Sequence, residues 1–546
     1  MGAPLAVVLE YHRSTKHHFN RYAKGPGFMD WATQPNPFRR YDGAPLFPLQ
    51  RTFPQGSPPY DRIYSSTGVE PRPLNFQNIS RLFFESLAIS AWKRAGGDAW
   101  ALRVNPSSGN LHPTEAYLLC GPLNGLVDTA AVFHYAPREH ALELRARVPL
   151  PLWELLLAGA PAGIILLGLT SIHWRESWKY GERAYRYCAL DVGHALGAVG
   201  VAAAGLGWQC ALLERLAAQD LERLMGTGHA PGVEREEPDC LLAMFTGGGS
   251  RSLHLDTGGE AIDRWEALDW LGKPNRLSPT NVEWSAIERV AEAARRPVEA
   301  NDSDLLPPTV NVRDPLQVVQ DRSLPLAQIV RTRRSAVAMN GVSTISRAAF
   351  YHILARTLPD IPPQVPFGML PWPPLVHLAI FVHRVEGLEP GLYFLVRNGV
   401  RWNALKSAMA PGHLWARPQN CPESLDLYLL ARGDFRQTSM QVSCYQEIAS
   451  DGCFSLAMIA EFQEPLLQEG PWFYPRLFWE CGMIGQVLYL EAEAAGLRGT
   501  GIGCFFDDGM HEILGIEGTR FQDLYHFTVG GPLEDRRIAT FPAYPD

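Results

Sequence analysis

Two long helical segments, 182–204 and 475–495, carry the same pattern of small residues in the two halves of the chain. The first places Asp191 two positions before Gly193, and the second places Glu480 two positions before Gly482. Both end in Ala-Ala-Gly-Leu, although the interval to that ending is two residues longer in the second copy. Because glycine lets backbones approach closely, the pattern predicts a close contact between helices. It also suggests an internal duplication.

The segments around these helices mix helical and strand patterns. Apolar runs predict strands at 115–121, 163–169 and 240–245 in the first half, and at 376–383 and 392–396 in the second. We predict helices for Ser80–Arg94 and for a region near Ser455–Leu467. This mixture predicts an α+β fold class.

The length of 546 residues exceeds what one hydrophobic core usually supports, so at least two domains are expected. Shifts in composition divide the chain into an N-terminal arm (1–75), a first domain (76–246), a linker or crossover (247–324) and a second domain (325–546).

Composition argues against several classes of protein. A net charge of −8 without a long basic run predicts no nucleic-acid partner. We expect no membrane span, because Gly and Pro divide the uncharged segment 155–172, and the small residues of 192–213 suit a soluble core. Nine scattered cysteines without a C-x-x-C pair favour the reducing cytoplasm. Asp507, Asp508 and His511 are interpreted as a helix N-terminus, and no metal site is predicted.

The stretch Arg103–Tyr117 concentrates small polar residues directly before a predicted strand. Small residues with short hydroxyl and amide groups can approach a flat polar ligand closely. An ordinary turn is the alternative, because Asn, Pro, Ser and Gly dominate turns for local reasons. The residues in question are Asn105, Pro106, Ser107, Ser108, Gly109, Asn110 and Pro113.

This P-S-S-x-N-x-x-P pattern resembles the FMN-dependent nitroreductase superfamily, and specifically its SagB-type azoline dehydrogenase branch in a tandem two-domain form. The resemblance covers about 80–246 and 325–546. It implies two nitroreductase-like domains that form an intramolecular pseudo-dimer around the two long helices. A further homodimer stays possible.

The resemblance assigns a cofactor-binding role to residues in both halves. In the first half the loop would lie against the flavin ring and ribityl chain. In the second half, R-x-S, glycine-rich and C-terminal basic motifs would hold the phosphate and pass the ring. The FMN-binding residues expected in this way are Arg103, Pro106, Ser107, Ser108, Asn110, Arg331, Arg333, Ser335, Thr500, Gly501, Ile502, Gly503, Arg536 and Arg537.

The adjacent Lys179 and Tyr180 match a pair that is associated with catalysis in azoline dehydrogenases. A base is needed beside the flavin when a C–H bond loses hydride and its neighbour loses a proton. Lys or Tyr can serve once its pKa is lowered. The alternative is a solvated lysine beside an interfacial tyrosine.

The two halves therefore differ in what they keep. The second half has Pro366-Phe367-Gly368-Met369-Leu370-Pro371 in place of the P-S-S loop, without a hydroxyl or amide for a flavin. We expect one working FMN site built across both halves, with the opposite site degenerate.

The resemblance implies an FMN-dependent dehydrogenase that moves hydride from a substrate C–H to flavin. Its substrate would be an azoline-like heterocycle or another small or peptide-like natural product, and a biosynthetic partner protein is possible. One alternative is an NAD(P)H-dependent nitro- or quinone reductase. Another is a flavin-free scaffold or peptide-binding partner in a biosynthetic complex.

Overall fold

A computed structural model describes residues 2–65, 68–160, 163–228, 232–247, 253–298, 324–360 and 364–544. Helices and strands alternate along both halves. The helices are α1 (Ala3–Ser14), α2 (Phe76–Ser86), α3 (Leu150–Leu157), α4 (His173–Tyr180), α5 (Ala184–Gly205), α6 (Ala218–Met225), α7 (Gly259–Glu266), α8 (Ser285–Ala293), α9 (Leu326–Thr332), α10 (Arg347–Arg356), α11 (Trp402–Ala408), α12 (Arg436–Val442), α13 (Ile448–Asp451), α14 (Gln463–Gln468), α15 (Tyr474–Ala494) and α16 (Gly509–Leu514).

In the described ranges, the strands form one large antiparallel sheet in each half and three small sheets. They are β1 (Tyr41–Asp42), β2 (Leu46–Pro48), β3 (Ile89–Ala95), β4 (Asp98–Arg103), β5 (Thr114–Cys120), β6 (Ala130–Ala136), β7 (Ala141–Val148), β8 (Ile164–Ser171), β9 (Gln209–Leu212), β10 (Glu237–Phe245), β11 (Lys273–Pro274), β12 (Ile345–Ser346), β13 (Val376–Val382), β14 (Val385–Glu386), β15 (Gly391–Leu395), β16 (Leu427–Arg432), β17 (Phe454–Glu461), β18 (Arg498–Ile502), β19 (Phe521–Gly530) and β20 (Ala539–Phe541).

The two large sheets have the same strand order. The first half is arranged β2-β7-β6-β5-β8-β10-β9, and the second half β16-β15-β13-β17-β19-β18. Removing the edge strand β2, which comes from the N-terminal arm, makes the two orders equivalent. The predicted α+β class and tandem arrangement are therefore confirmed at the level of topology.

Helices α5 and α15 cross at the glycines that the sequence pattern singles out. A methyl group on Gly193 would lie 2.3 Å from the carbonyl oxygen of Trp479, and one on Gly482 would lie 2.2 Å from that of Leu190. Each glycine therefore sits against the backbone of the opposite helix, as the central helices of a dimer would.

Among the residues that the structure describes, one helical stretch, His173–Gly205, is long and apolar enough to cross a membrane. Of its most apolar window, 94% is buried inside the protein. Its apolar surface is thus covered by the rest of the fold, which is typical of a core helix.

The termini are tied into the body. Residues 1–75 are less irregular than expected, because α1 is helical and packs near α8, and β2 extends the first sheet. At the other end of the chain, β20 pairs with β3 of the first half. The segment 247–324 contributes α7, β11 and α8 among its described residues.

Two predicted helices are wrong in part. Ser80–Arg94 is helical only to Ser86, and its second part is strand β3, which pairs with β4 and the distant β20. The region near Ser455–Leu467 begins as β17, a buried strand between β13 and β19, and only then becomes α14. A strand buried on both faces reads as a continuous apolar run, so its periodicity resembles that of a buried helix.

Candidate active site

A cavity of about 680 Å³ lies between the two halves. The first half contributes the loop 105–110 together with Tyr180, Tyr187 and Asp191. The second half contributes the segments 332–337 and 500–504. The motifs that the sequence singles out in separate halves thus line one cavity, while their binding roles stay predictions.

The loop between β4 and β5 has a conformation that small residues favour. It contains one short turn of 3-10 helix, Ser108–Asn110, in which Gly109 and Asn110 have φ of 58° and 60°. The backbone amide and the hydroxyl of Ser108 both donate to Asp191 Oδ1, at 3.1 and 3.3 Å. Asn110 Nδ2 donates to the Ala101 carbonyl at 2.7 Å, so its amide supports the loop.

Gly109 marks where this loop meets the end of α4. A methyl group there would lie 2.6 Å from Tyr180 Oη and 3.1 Å from Lys179 Nζ. The two polar groups therefore lie directly against the loop, and only glycine leaves them room.

Tyr180 is held as a neutral phenol. Burial raises its pKa well above the ordinary value, and the neighbouring Glu176 raises it further. The lowered pKa that a tyrosine base would need is not found at Tyr180, because burial disfavours the charged phenolate and the nearby Glu176 adds to this effect. Its ring packs 4.6 Å from that of Tyr187, whose hydroxyl donates to the Gly503 carbonyl at 3.0 Å.

Glu176 and Asp191 are two buried acids behind the loop that sequence reasoning missed. Burial raises the pKa of Asp191 to about 7 and that of Glu176 well above its ordinary value. Ser107 Oγ donates to Glu176 Oε1 at 3.4 Å. A signal did exist for Asp191, since an acid inside a long small-residue helix needs a reason to be there.

The opposite end of the cavity is positively charged. Arg333 donates from Nε to the Val104 carbonyl at 3.2 Å and from Nη2 to the Arg103 carbonyl at 3.0 Å. Arg334 likewise donates to main-chain carbonyls. Burial lowers the pKa of both guanidinium groups. Within the described ranges, neither has a carboxylate within ion-pair distance, so this end suits an anion such as phosphate.

Ser335 and the glycine-rich strand meet at one tyrosine. The Tyr489 hydroxyl lies 2.8 Å from Ser335 Oγ and accepts the backbone N–H of Gly501 at 2.9 Å. A methyl group on Gly501 would lie 1.8 Å from Tyr525 Oη, so glycine is required there. Thr500, Ile502 and Gly503 also line the cavity.

Four predicted arginines bind elsewhere or are turned away. Arg331 donates to the Phe84 carbonyl at 2.9 Å and lies outside the cavity lining. Arg536 and Arg537 are exposed and also outside it, and Arg537 pairs with Asp535 at 2.7 Å. Arg103 is on the cavity wall, but its guanidinium donates to the Pro37 carbonyl at 2.6 Å. The loop after β19 bends at Asp535, which directs Arg537 to the surface.

Residues 94–244 match the model of the nitroreductase family and thus form a nitroreductase-family domain. A candidate nitroreductase of Methanocaldococcus jannaschii is 26% identical over 142 residues, which are 25% of this chain and 66% of that protein. The match therefore spans just under two thirds of that relative.

A crystal structure of a candidate nitroreductase from Anabaena variabilis resembles the whole molecule. It covers 96% of this chain and 99% of its own, with a TM-score of 0.68 and 21% identity. At this identity the likeness shows the fold, and it extends over both halves and their arrangement.

Proposed function

We propose that this protein is an FMN-dependent oxidoreductase, a dehydrogenase that moves hydride from a substrate C–H to flavin. The observation that carries the proposal is the composition of one cavity. At one end Tyr180 lines the cavity beside Gly109, and Lys179 Nζ lies against the same loop outside the lining. At the other end lie the guanidinium groups of Arg333 and Arg334, which have no carboxylate within ion-pair distance in the part of the chain that the structure describes.

The residues present fit FMN. Arg333, Arg334 and Ser335 offer donors for a phosphate. Gly109 and Gly501 let their segments pack closely against Tyr180 and Tyr525, two aromatic side chains that line the same cavity. The volume of about 680 Å³ is typical of a small-molecule site. When bound, FMN would supply the hydride chemistry.

The chain itself would handle the proton. Since the pKa of Tyr180 is raised, its hydroxyl holds a proton at neutral pH and acts as a donor. Asp191, with a pKa of about 7, can accept or release a proton at the cavity wall. Lys179 Nζ lies against the same loop and is the other candidate base that the resemblance implies.

The resemblance to azoline dehydrogenases supports the substrate class, an azoline-like heterocycle or peptide-derived natural product made in the cytoplasm. A biosynthetic partner protein would deliver such a peptide. The resemblance rests on the P-S-S loop together with Lys179 and Tyr180, since these motifs occur together in that branch.

The first test is the flavin content of the purified protein. We expect a yellow protein with one FMN per chain, and the double change Arg333→Ala with Ser335→Ala should weaken FMN binding about 10-fold or more. Arg537→Ala is the matched control, because its guanidinium pairs with Asp535 on the surface. A ratio near two, or full retention by the double variant, would contradict the single-site proposal. A colourless protein that takes up no FMN would favour the scaffold alternative.

The second test separates a dehydrogenase from a reductase. We expect no sustained oxidation of NAD(P)H with a nitroaromatic acceptor. Sustained turnover that is unchanged in Lys179→Ala would favour the nitro- or quinone reductase alternative. Tyr180→Phe keeps the aromatic ring and removes only the hydroxyl group, so it tests the role of the hydroxyl alone.

A further inference from the structure

Two cysteines from separate segments meet at the wall of the cavity. Cys504 follows β18, and Cys444 lies between α12 and α13. Their sulfur atoms are 2.8 Å apart, less than an ångström more than the length of a disulfide bond, about 2.05 Å. Both side chains are partly exposed, and Cys504 lines the cavity directly after Gly503.

The backbone around Cys444 holds this arrangement in place. Cys444 and Tyr445 have φ of 54° and 58°, in the left-handed region that non-glycine residues seldom adopt. Such conformations persist where the surroundings impose them, and they cluster at functional positions. Gln446 Nε2 donates to the Cys504 carbonyl at 2.9 Å and so links the two segments.

The surroundings favour a thiolate at one of the two sulfurs. The Cys444 thiol, the His17 side chain and the Arg183 guanidinium all lower the pKa of Cys504. The pKa of Cys444 is raised, so it keeps the shared proton. The pKa of each of the other seven cysteines is raised, chiefly by burial.

We propose that Cys444 and Cys504 are a redox-active dithiol, which a peroxide oxidises to a disulfide on the cavity wall and a thiol reductant converts back. The Cys504 thiolate attacks a peroxide oxygen and breaks the O–O bond, which yields a sulfenic acid and hydroxide. The Cys444 thiol then attacks the sulfenic sulfur and releases water. In total, two thiols and one hydrogen peroxide give one disulfide and two waters. This thiol reaction does not depend on the proposed flavin chemistry, although Cys504 lines the same cavity.

The test treats the reduced full-length protein with hydrogen peroxide, blocks the remaining thiols with N-ethylmaleimide and maps the peptides by mass spectrometry. We expect two of the nine thiols to be lost, a linked Cys444–Cys504 peptide, and full recovery with dithiothreitol. Loss of thiols at other positions without this linked peptide would overturn the proposal.

Alkylation of the native protein by iodoacetamide near pH 6.5 provides a second readout. We expect Cys504 to react about tenfold faster than the half-buried Cys421, because the thiolate is the nucleophile. Equal rates would overturn the assignment of Cys504. Both measurements use the wild-type chain, so they do not depend on a variant that folds.

Variants then assign the two roles. Cys444→Ser should leave a sulfenic acid on Cys504 that dimedone traps, and Cys504→Ser should abolish both the linked peptide and the fast alkylation. Cys421→Ser is the control and should change neither. A linked peptide that also disappears in Cys421→Ser would contradict the pairing.

Discussion

Asp191 and Glu480 occupy matching positions in the two halves, two residues before the glycines at which α5 and α15 cross. Asp191 faces the cavity, where its partners are the amide and hydroxyl of Ser108. Glu480 is buried against the Arg397 guanidinium and accepts the backbone N–H of Leu375 at 3.1 Å. The same scaffold position thus faces the cavity in one half and belongs to a buried ion pair in the other.

A second matching position, two turns further along each helix, also differs between the two halves. Seven residues after the crossing glycine stand Gly200 in α5 and Tyr489 in α15. Tyr489 projects to the cavity, where it holds Ser335 and Gly501. At Gly200 a methyl group would lie 2.4 Å from Met369 Cε and 2.9 Å from Pro366 Cβ. The segment 366–371, which stands where the first half has its P-S-S loop, therefore packs directly against α5 at Gly200.

The largest effect on stability is expected from Arg397→Met, which removes the partner of Glu480 in the buried ion pair of the second half. Removing one partner of a buried ion pair leaves the other charge unpaired, so the free energy of unfolding should fall by about 3 kcal/mol or more. Urea denaturation followed by tryptophan fluorescence would measure the change.

The control is Arg432→Met, whose exposed pair with Glu389 should contribute less than about 1 kcal/mol. The double variant with Glu480→Gln should recover part of the loss, because it removes the orphaned charge. Equal urea midpoints for Arg397→Met and Arg432→Met would mean that Glu480 does not depend on Arg397.

The next largest effect on stability concerns a feature that the two halves share, the glycine at which α5 and α15 cross. Gly193→Ala places a methyl group 2.3 Å from the Trp479 carbonyl oxygen, so the two helices must separate. We expect a loss of about 1–3 kcal/mol in unfolding free energy, and a similar loss for Gly482→Ala. Gly412→Ala is the control, because its added methyl group meets nothing within 4 Å. A neutral Gly193→Ala would argue against the close crossing.

The fold was more predictable from sequence than the site. The central helices follow from local periodicity. Strand β3 pairs with β4, the next strand in the chain, and also with β20 at the far end of the chain, and only the second pairing lies beyond a local pattern. Arg331 and Arg333 look interchangeable in the sequence. They differ because α9 ends at Thr332, so Arg331 faces α2 from the last helical turn and Arg333, in extended backbone, reaches the cavity. The burial of Glu176 depends on tertiary packing, which no local pattern records.

The smallest effect is expected at Asp191, the matching residue of the first half, and it is measured as the pH dependence of the Tm. The pKa of Asp191, about 7, lies above its value in an unfolded chain, about 3.9. The protonated form therefore stabilises the fold, fully below about pH 4, and this stabilisation is lost as the pH rises through 7. Asp191→Asn keeps an acceptor for Ser108 and carries no charge. Its Tm should approach that of the wild type at pH 5 and exceed it by about 2 °C at pH 8.

Asp434→Asn is the control, because Arg436 lowers the pKa of this exposed acid and any trend should have the opposite sign. A Tm difference that does not grow between pH 5 and pH 8 would show that Asp191 is charged in the folded protein, and would remove it as a proton acceptor near neutral pH.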